Sequence, residues 1–326
     1  MLWCSTPLLL NLLYFALILH QGAAQGVQNR SDCPHSLQRR EWRTLSSAEQ
    51  SNYINAVLCL QKLRPTDPNN KIAQSRFDEF QGFHIDIAND VHAVGQFLPW
   101  HRYFLARYES ALRDECGYTG AQPYWNWSID VESDDPDSLF RSPIFDSTTG
   151  FGGNGAHATY PRCVTTGPFA NLMLNYGPGR RPTRHCLTRA FDNSLKPYLT
   201  HAAVANTTAQ SSFEAFRTEL EGQPVTTDYR MHDAGHLSVG GELANVYSSP
   251  GDPLFYVHHA NLDRIWRMWQ LSKPGRMQEI SGRSTVDPPH ENVTLDYPLN
   301  MGPLGPTIPI RDIMDTTASP WCYDYA

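Results

Sequence analysis

Histidines in this chain gather in two groups of three, and that grouping limits the available folds more than any other feature. The later group lies in MHDAGH and DPLFYVHHANLDRIWRMWQ. His232 and His236 stand at i and i+4, the spacing that puts two imidazoles on one helical face. His259 falls inside an apolar and aromatic run over residues 252–270. Asp252 suits an N-cap and Pro253 the first helical position, so the run predicts a buried helix. On that helix His259 shares a face with Phe255, Asp263 and Trp266. Three histidines on two helices can close around one metal ion.

The earlier group lies in FHIDIANDVHAVGQFLPWHRYFLARYESAL. His84 is expected just after a helix over SRFDEFQGF, His92 in a Gly-containing connection, and His101 in the first turn of another helix, two residues beyond Pro99. That helix continues a core stripe through Leu105, Tyr108 and Leu112. All-imidazole ligation suits copper, zinc, iron or nickel, so ligand type alone does not choose the metal. If the trios form one dinuclear site, they must meet, and the chain between them cannot be an independent module. The expectation is therefore one domain over residues 25–326 with its core at 75–270. The fold class is mainly α: an antiparallel four-helix bundle around a dinuclear metal site, with long loops and a few short strands.

Other features bound the setting. Residues 1–24 carry an apolar run from Leu8 to Leu19 and then Gly22-Ala23-Ala24, a pattern expected of a cleaved secretory signal although no basic residue precedes it. Removal of Cys4 with it leaves Cys33, Cys59, Cys116, Cys163, Cys186 and Cys322, an even number that favours disulfides in a secreted chain without fixing their pairing. Four glycosylation sequons start at Asn29, Asn126, Asn206 and Asn292, with Asn126 expected to be buried among aromatic residues. A net charge of -7 with scattered basic residues argues against nucleic acid as a partner. No polybasic patch or second apolar run suggests a membrane partner after signal cleavage. Residues 134–196 are rich in Pro, Gly, Asp and Ser and read as long loops pinned by Cys163 and Cys186, a rim for a substrate opening. A helix is expected over SSFEAFRTELEG, ended by Gly222.

The pattern HxxxxxxxH with FLPWHR, HDAGH and DPLFYVHHANLDRIW resembles the tyrosinase family of type 3 copper proteins, which comprises tyrosinases, catechol oxidases and related haemocyanins. The resemblance covers residues 75–270. It implies that His84, His92 and His101 hold one copper and that His232, His236 and His259 hold the second, with His258 left to a structural role. It implies dioxygen and a small phenol as substrates, oxidised to an o-quinone. Fungal members often cross-link a cysteine two residues before the middle ligand of the first copper. Asp90 stands there, so that bridge is not expected. The family usually has aspartate at the position of Asn126, and its Tyr-x-Tyr motif is matched by Tyr323-Asp324-Tyr325. No C-terminal lid is expected, since the sequence stops at that motif. Asp233 follows the first ligand of the second copper, where some members place an asparagine, and is a candidate base. Glu221 resembles a water-holding glutamate but stands three residues further from His232 than expected. Phe255 is a candidate wall for the phenol ring, and Asp263 a candidate acceptor for His259 or a partner of Arg267.

Two further chemistries use such a box. Fungal cyclopenases resemble it with zinc as a Lewis acid in non-oxidative secondary metabolism, and haemocyanins bind oxygen without turnover. A zinc metalloprotease is excluded because HDAGH lacks the glutamate directly after its first histidine. Di-iron carboxylate bundles are excluded by their glutamate-rich ligand sets.

Overall fold

The computed structural model describes residues 1–2, 33, 35–156 and 162–326. Most of the expected signal segment and the Asn29 sequon lie outside these residues. From Asp32 to Ala326 the chain forms one compact unit.

Polar residues at the start of each early helix set where it begins. Ser46 opens α1 (Ser47–Leu60) and Ser75 opens α2 (Arg76–Val91), each through a capping box, with Glu49 and Asp78 reaching back to the cap. The third helix, α3, spans Phe97–Cys116 and ends on Gly117 in the left-handed conformation. A short α4 (Trp127–Val131) follows, then a long segment of turns that holds two minimal strands, β2 (Met173–Leu174) and β3 (His185–Cys186). Helices resume with α5 (His201–Thr208), α6 (Phe213–Glu221), α7 (Met231–Val239) and α8 (Leu254–Leu271). The C-terminal part is irregular apart from β4 (Pro298–Leu299), β5 (Ile308–Pro309) and β6 (Tyr323–Tyr325), the last paired in parallel with β1 (Leu37–Arg39).

The fold is helix-rich with a few short strands, as the sequence implied. Helix α3 packs on α1, α2 and α8, and α8 packs also on α5 and α7, so the four histidine-bearing helices meet in the core. Six tryptophans, Trp42, Trp100, Trp125, Trp127, Trp266 and Trp269, are fully buried there. Among the described residues no helix is long and apolar enough to cross a membrane.

Several local expectations need correction. His84 does not follow a helix. It lies inside α2, because Phe77, Phe80, His84, Ile85, Ala88 and Val91 form one continuous buried stripe that carries the helix past Gly82. Helix α3 starts at Phe97, so His101 sits two positions deeper than Pro99 suggested, in the second turn. Pro253, not Asp252, is the cap of α8. The Asp252 carboxylate still accepts from the Leu254 N–H at 3.0 Å, and it also takes both Arg189 Nε and Nη2 at 2.7 and 2.9 Å. Asn126 is partly rather than fully buried, its Oδ1 accepting from Ser128 Oγ at 2.6 Å.

The six cysteines pair as Cys33–Cys322, Cys59–Cys116 and Cys163–Cys186. The first ties the chain near β1 to the segment that enters β6, and the third closes the loop between the helical halves. Arg189 fastens that loop further. It donates to the carbonyls of Phe151 and Gly152 at 3.1 and 2.7 Å while its other nitrogens hold Asp252 beneath α8. Both side chains of this pair are fully buried. Arg189→Met would strand the Asp252 charge, so the variant is expected to lose about 3–5 kcal/mol of stability. Denaturant unfolding followed by tryptophan fluorescence measures it.

Candidate metal centre

Each histidine trio converges. The ligand nitrogens of His84, His92 and His101 lie within 4.8 Å of one another, and so do those of His232, His236 and His259. The trios face each other: the rings of His101 and His259 stack at 4.6 Å and those of His92 and His232 lie 6.1 Å apart.

Backbone carbonyls orient five of the six rings. Nδ1–H donates to Tyr247 from His84 at 2.7 Å, to Ala88 from His92 at 2.8 Å, to Phe97 from His101 at 2.8 Å, to Glu221 from His232 at 3.0 Å and to Leu243 from His236 at 2.8 Å. A carbonyl can only accept, so each bond fixes the proton on Nδ1 and leaves the Nε2 lone pair free. The Nε2 atoms of His84, His101 and His232 are buried with no partner in the protein. Those of His236 and His259 approach to 3.0 Å. Buried acceptors without donors are costly, and a metal cation is the group that would satisfy them. Burial, then the neighbouring imidazoles, holds the His84 ring unprotonated down to about 3, and the rings of His101, His232, His236 and His259 are depressed likewise. The donor set therefore fits two metal ions, one per trio.

His258 spends both ring nitrogens elsewhere. Nδ1 accepts from Trp127 Nε1 at 3.2 Å, and Nε2–H donates to the His232 carbonyl at 3.1 Å. Its ring packs over Gly235, where a Cβ would come within 2.2 Å of Cε1. The glycine of HDAGH is thus a packing requirement that the i, i+4 pattern gave no hint of.

Phe255 is fully buried and stacks under His259 at 4.1 Å, with His84 and His236 at 5.4 and 5.8 Å. It is a floor beneath the imidazoles rather than an open wall. Asp263 reaches neither His259 nor Arg267. It accepts from Arg102 Nε at 2.5 Å, Arg39 Nη1 at 3.3 Å and the hydroxyls of Tyr323 and Tyr325 at 2.9 and 2.5 Å. Arg267 pairs with Asp324 instead. These partners are distant in sequence, so helical spacing could not reveal them.

The candidate carboxylates are also engaged. Glu221 is buried, accepts from the Ala93 N–H beside His92 and pairs with Arg217, while its own carbonyl orients His232. Asp233 lines the cavity, but Oδ1 accepts from Arg230 N–H at 2.7 Å and Oδ2 from Gln223 N–H at 2.8 Å. Burial pushes its acid up to about 6 against the pull of those amides. Gly222, at a φ of 91°, is demanded here, since a Cβ would meet Asp233 Oδ2 at 2.4 Å. The cavity, about 200 Å³, opens onto His92, His232 and His236 between Tyr229 and Val246.

Residues 74–272 match the common central domain of tyrosinase. The chain belongs to the tyrosinase family. It is 36% identical to tyrosinase ustQ of Aspergillus flavus over 307 residues, covering 90% of this chain and 80% of that one. It is 33% identical to N-acetyl-6-hydroxytryptophan oxidase ivoB of Emericella nidulans, covering 88% and 91%. A solved polyphenol oxidase of Thermothelomyces thermophila, mutant G292N, superposes with a TM-score of 0.82 at 34% identity, over 89% of each chain. An octopus haemocyanin unit, at 19% identity and a TM-score of 0.52, shares the fold alone. The protein is accordingly a tyrosinase-family oxidoreductase, and its family implies a dinuclear copper site acting on phenols with oxygen.

Within this tyrosinase fold Asp233 acts as a cap, and Asp233→Asn would turn an NH₂ toward one of the two amides. The variant is expected to lose about 1–2 kcal/mol of stability. A thermal melt tests this; an unshifted melting temperature would free Asp233 for another role.

Proposed function

We propose that the protein binds two coppers, through His84, His92 and His101 and through His232, His236 and His259, and oxidises o-diphenols to o-quinones with dioxygen. The observation that carries this reading is the set of buried Nε2 atoms left without partners by the Nδ1–H bonds to backbone carbonyls. Copper would supply the path for electrons from diphenol to dioxygen. The protein's part is geometric. Backbone carbonyls lock the imidazole rotations, Phe255 supports them from below and the cavity admits an aromatic ring beside His92, His232 and His236.

Oxidation of a diphenol removes two electrons and two protons, and two turnovers reduce one dioxygen to two waters. Hydroxylation of a monophenol further requires a base for the phenol. Asp233 and Glu221 are the nearest candidates, and each is already held by two donors. Diphenol oxidation is therefore the better-supported activity. The name of the Emericella relative, a hydroxytryptophan oxidase, supports a role in tailoring a small phenolic metabolite. Three disulfides, together with the apolar N-terminal run, support residence in the secretory pathway or outside the cell.

Metal analysis of protein purified without added metal, paired with oxygen uptake on 4-methylcatechol, tests the proposal. Two coppers per chain and catechol-dependent uptake are expected, with each single His→Ala change among the six lowering copper content. Zinc with no uptake would favour non-oxidative Lewis-acid chemistry at the same box. Copper that binds oxygen without consuming catechol would favour a carrier.

A further inference from the structure

Three of the chain's arginines, Arg180, Arg181 and Arg184, fall within five positions of one loop, although the protein as a whole carries a net charge of -7. All three are exposed. The loop is fastened to the wall of the cavity just described. Gly179 N–H donates to Ser248 Oγ at 3.2 Å, and at the other end His185 Nε2 lies 3.0 Å from Glu242 Oε2. Between Glu242 and Ser248 run Leu243, Ala244 and Val246, which line the cavity. The Arg180 guanidinium lies over the Tyr247 ring at 4.5 Å, and the Tyr247 carbonyl is the acceptor that orients His84.

We propose that residues 179–184 form an anion-reading rim of the substrate opening, which selects phenols bearing a carboxylate on a short side chain. This rests on the reading of the cavity as the phenol site. The charges opposing the rim are few. Asp86 lies near enough to Arg180 to feel its charge, Glu242 is taken by His185 and Gln81, and Asp233, which lines the cavity, has its two oxygens held by backbone amides. Arg181 and Arg184 make no ion pair or side-chain hydrogen bond among the described residues, so two guanidiniums stay available to a ligand. Cations presented beside a low-dielectric cavity concentrate an anionic ligand and pair with its carboxylate. Held away from the metal site, they act on affinity and leave the chemistry of the ring unaltered.

The test compares 3-(4-hydroxyphenyl)propionate with 4-ethylphenol, two phenols of similar size that differ in the carboxylate, by titration calorimetry on the purified protein. The wild type is expected to bind the propionate roughly ten-fold more tightly at low salt, a modest ratio because exposed pairs are screened by water. High salt should shrink that ratio. The triple variant R180Q/R181Q/R184Q is expected to lose the preference, and the triple lysine variant to keep most of it. Equal binding of the two phenols by the wild type, or a preference that survives in the glutamine variant, overturns the rim. Oxygen uptake on 4-methylcatechol, measured on the same samples, reports the oxidase reading separately, so failure of one is distinguishable from failure of the other.

Discussion

A buried, balanced cluster of charge around Asp263 holds the metal-binding helices in place. Burial alone would push the Asp263 carboxyl up, yet the guanidiniums of Arg102 and Arg39 overcome that penalty and hold it below its ordinary value. Arg39 is shared with Glu109 at 2.5 Å, so two cations meet two anions and the cluster carries no net charge. The aromatic faces add to this. Arg39 lies over Tyr323 at 3.5 Å and Arg102 over Trp266 at 3.6 Å. The cluster draws on β1, α3, α8 and β6. Arg102 directly follows His101 in α3, and Asp263 is one turn beyond His259 in α8, so the ion pair between them sets the distance between one ligand of each trio.

That arrangement explains why the site was legible in the sequence while its support was not. Short-range rules mark the second trio, i and i+4 for His232 and His236 in α7 and an aromatic helix for His259. The first trio shows as a cluster whose His84 and His101 sit deeper in their helices than local signals imply. Each rule operates within one element and can be read locally. The partners that position them come from elsewhere. Arg39 and Asp263 are 224 residues apart and Arg102 and Asp263 are 161 apart, so neither contact leaves a periodic trace. Sequence reasoning placed Asp263 on the right helix face and gave it the wrong neighbours. The same holds for Tyr323 and Tyr325, visible as a motif and explained only by the carboxylate they share. The sequence reading ends α2 at Phe83, whereas the buried residues His84, Ile85, Ala88 and Val91 carry the helix on to Val91.

The carbonyl acceptors show a second limit of the same kind. Backbone groups of Tyr247, Ala88, Phe97, Glu221 and Leu243 fix the imidazoles, and a backbone carbonyl carries no side-chain signature. They make the ring orientation a property of chain path. Glu221 thereby contributes through its main chain as well as through its carboxylate, and Asp233 contributes by capping α7, the helix that presents His232 and His236. The long loop between the helical halves belongs to the same design. Its Arg189 is buried against Asp252 under α8, and its Gly179 and His185 bond to Ser248 and Glu242, which flank the cavity-lining residues Leu243, Ala244 and Val246.

The central claim is that the two imidazole trios each hold one copper within a single preformed pocket. Anomalous scattering from crystals of the purified protein, collected on either side of the copper absorption edge, tests it most directly. Two copper peaks are predicted, one between His84, His92 and His101 and one between His232, His236 and His259. A single peak, peaks away from these rings, or a signal that appears only at the zinc edge would contradict it.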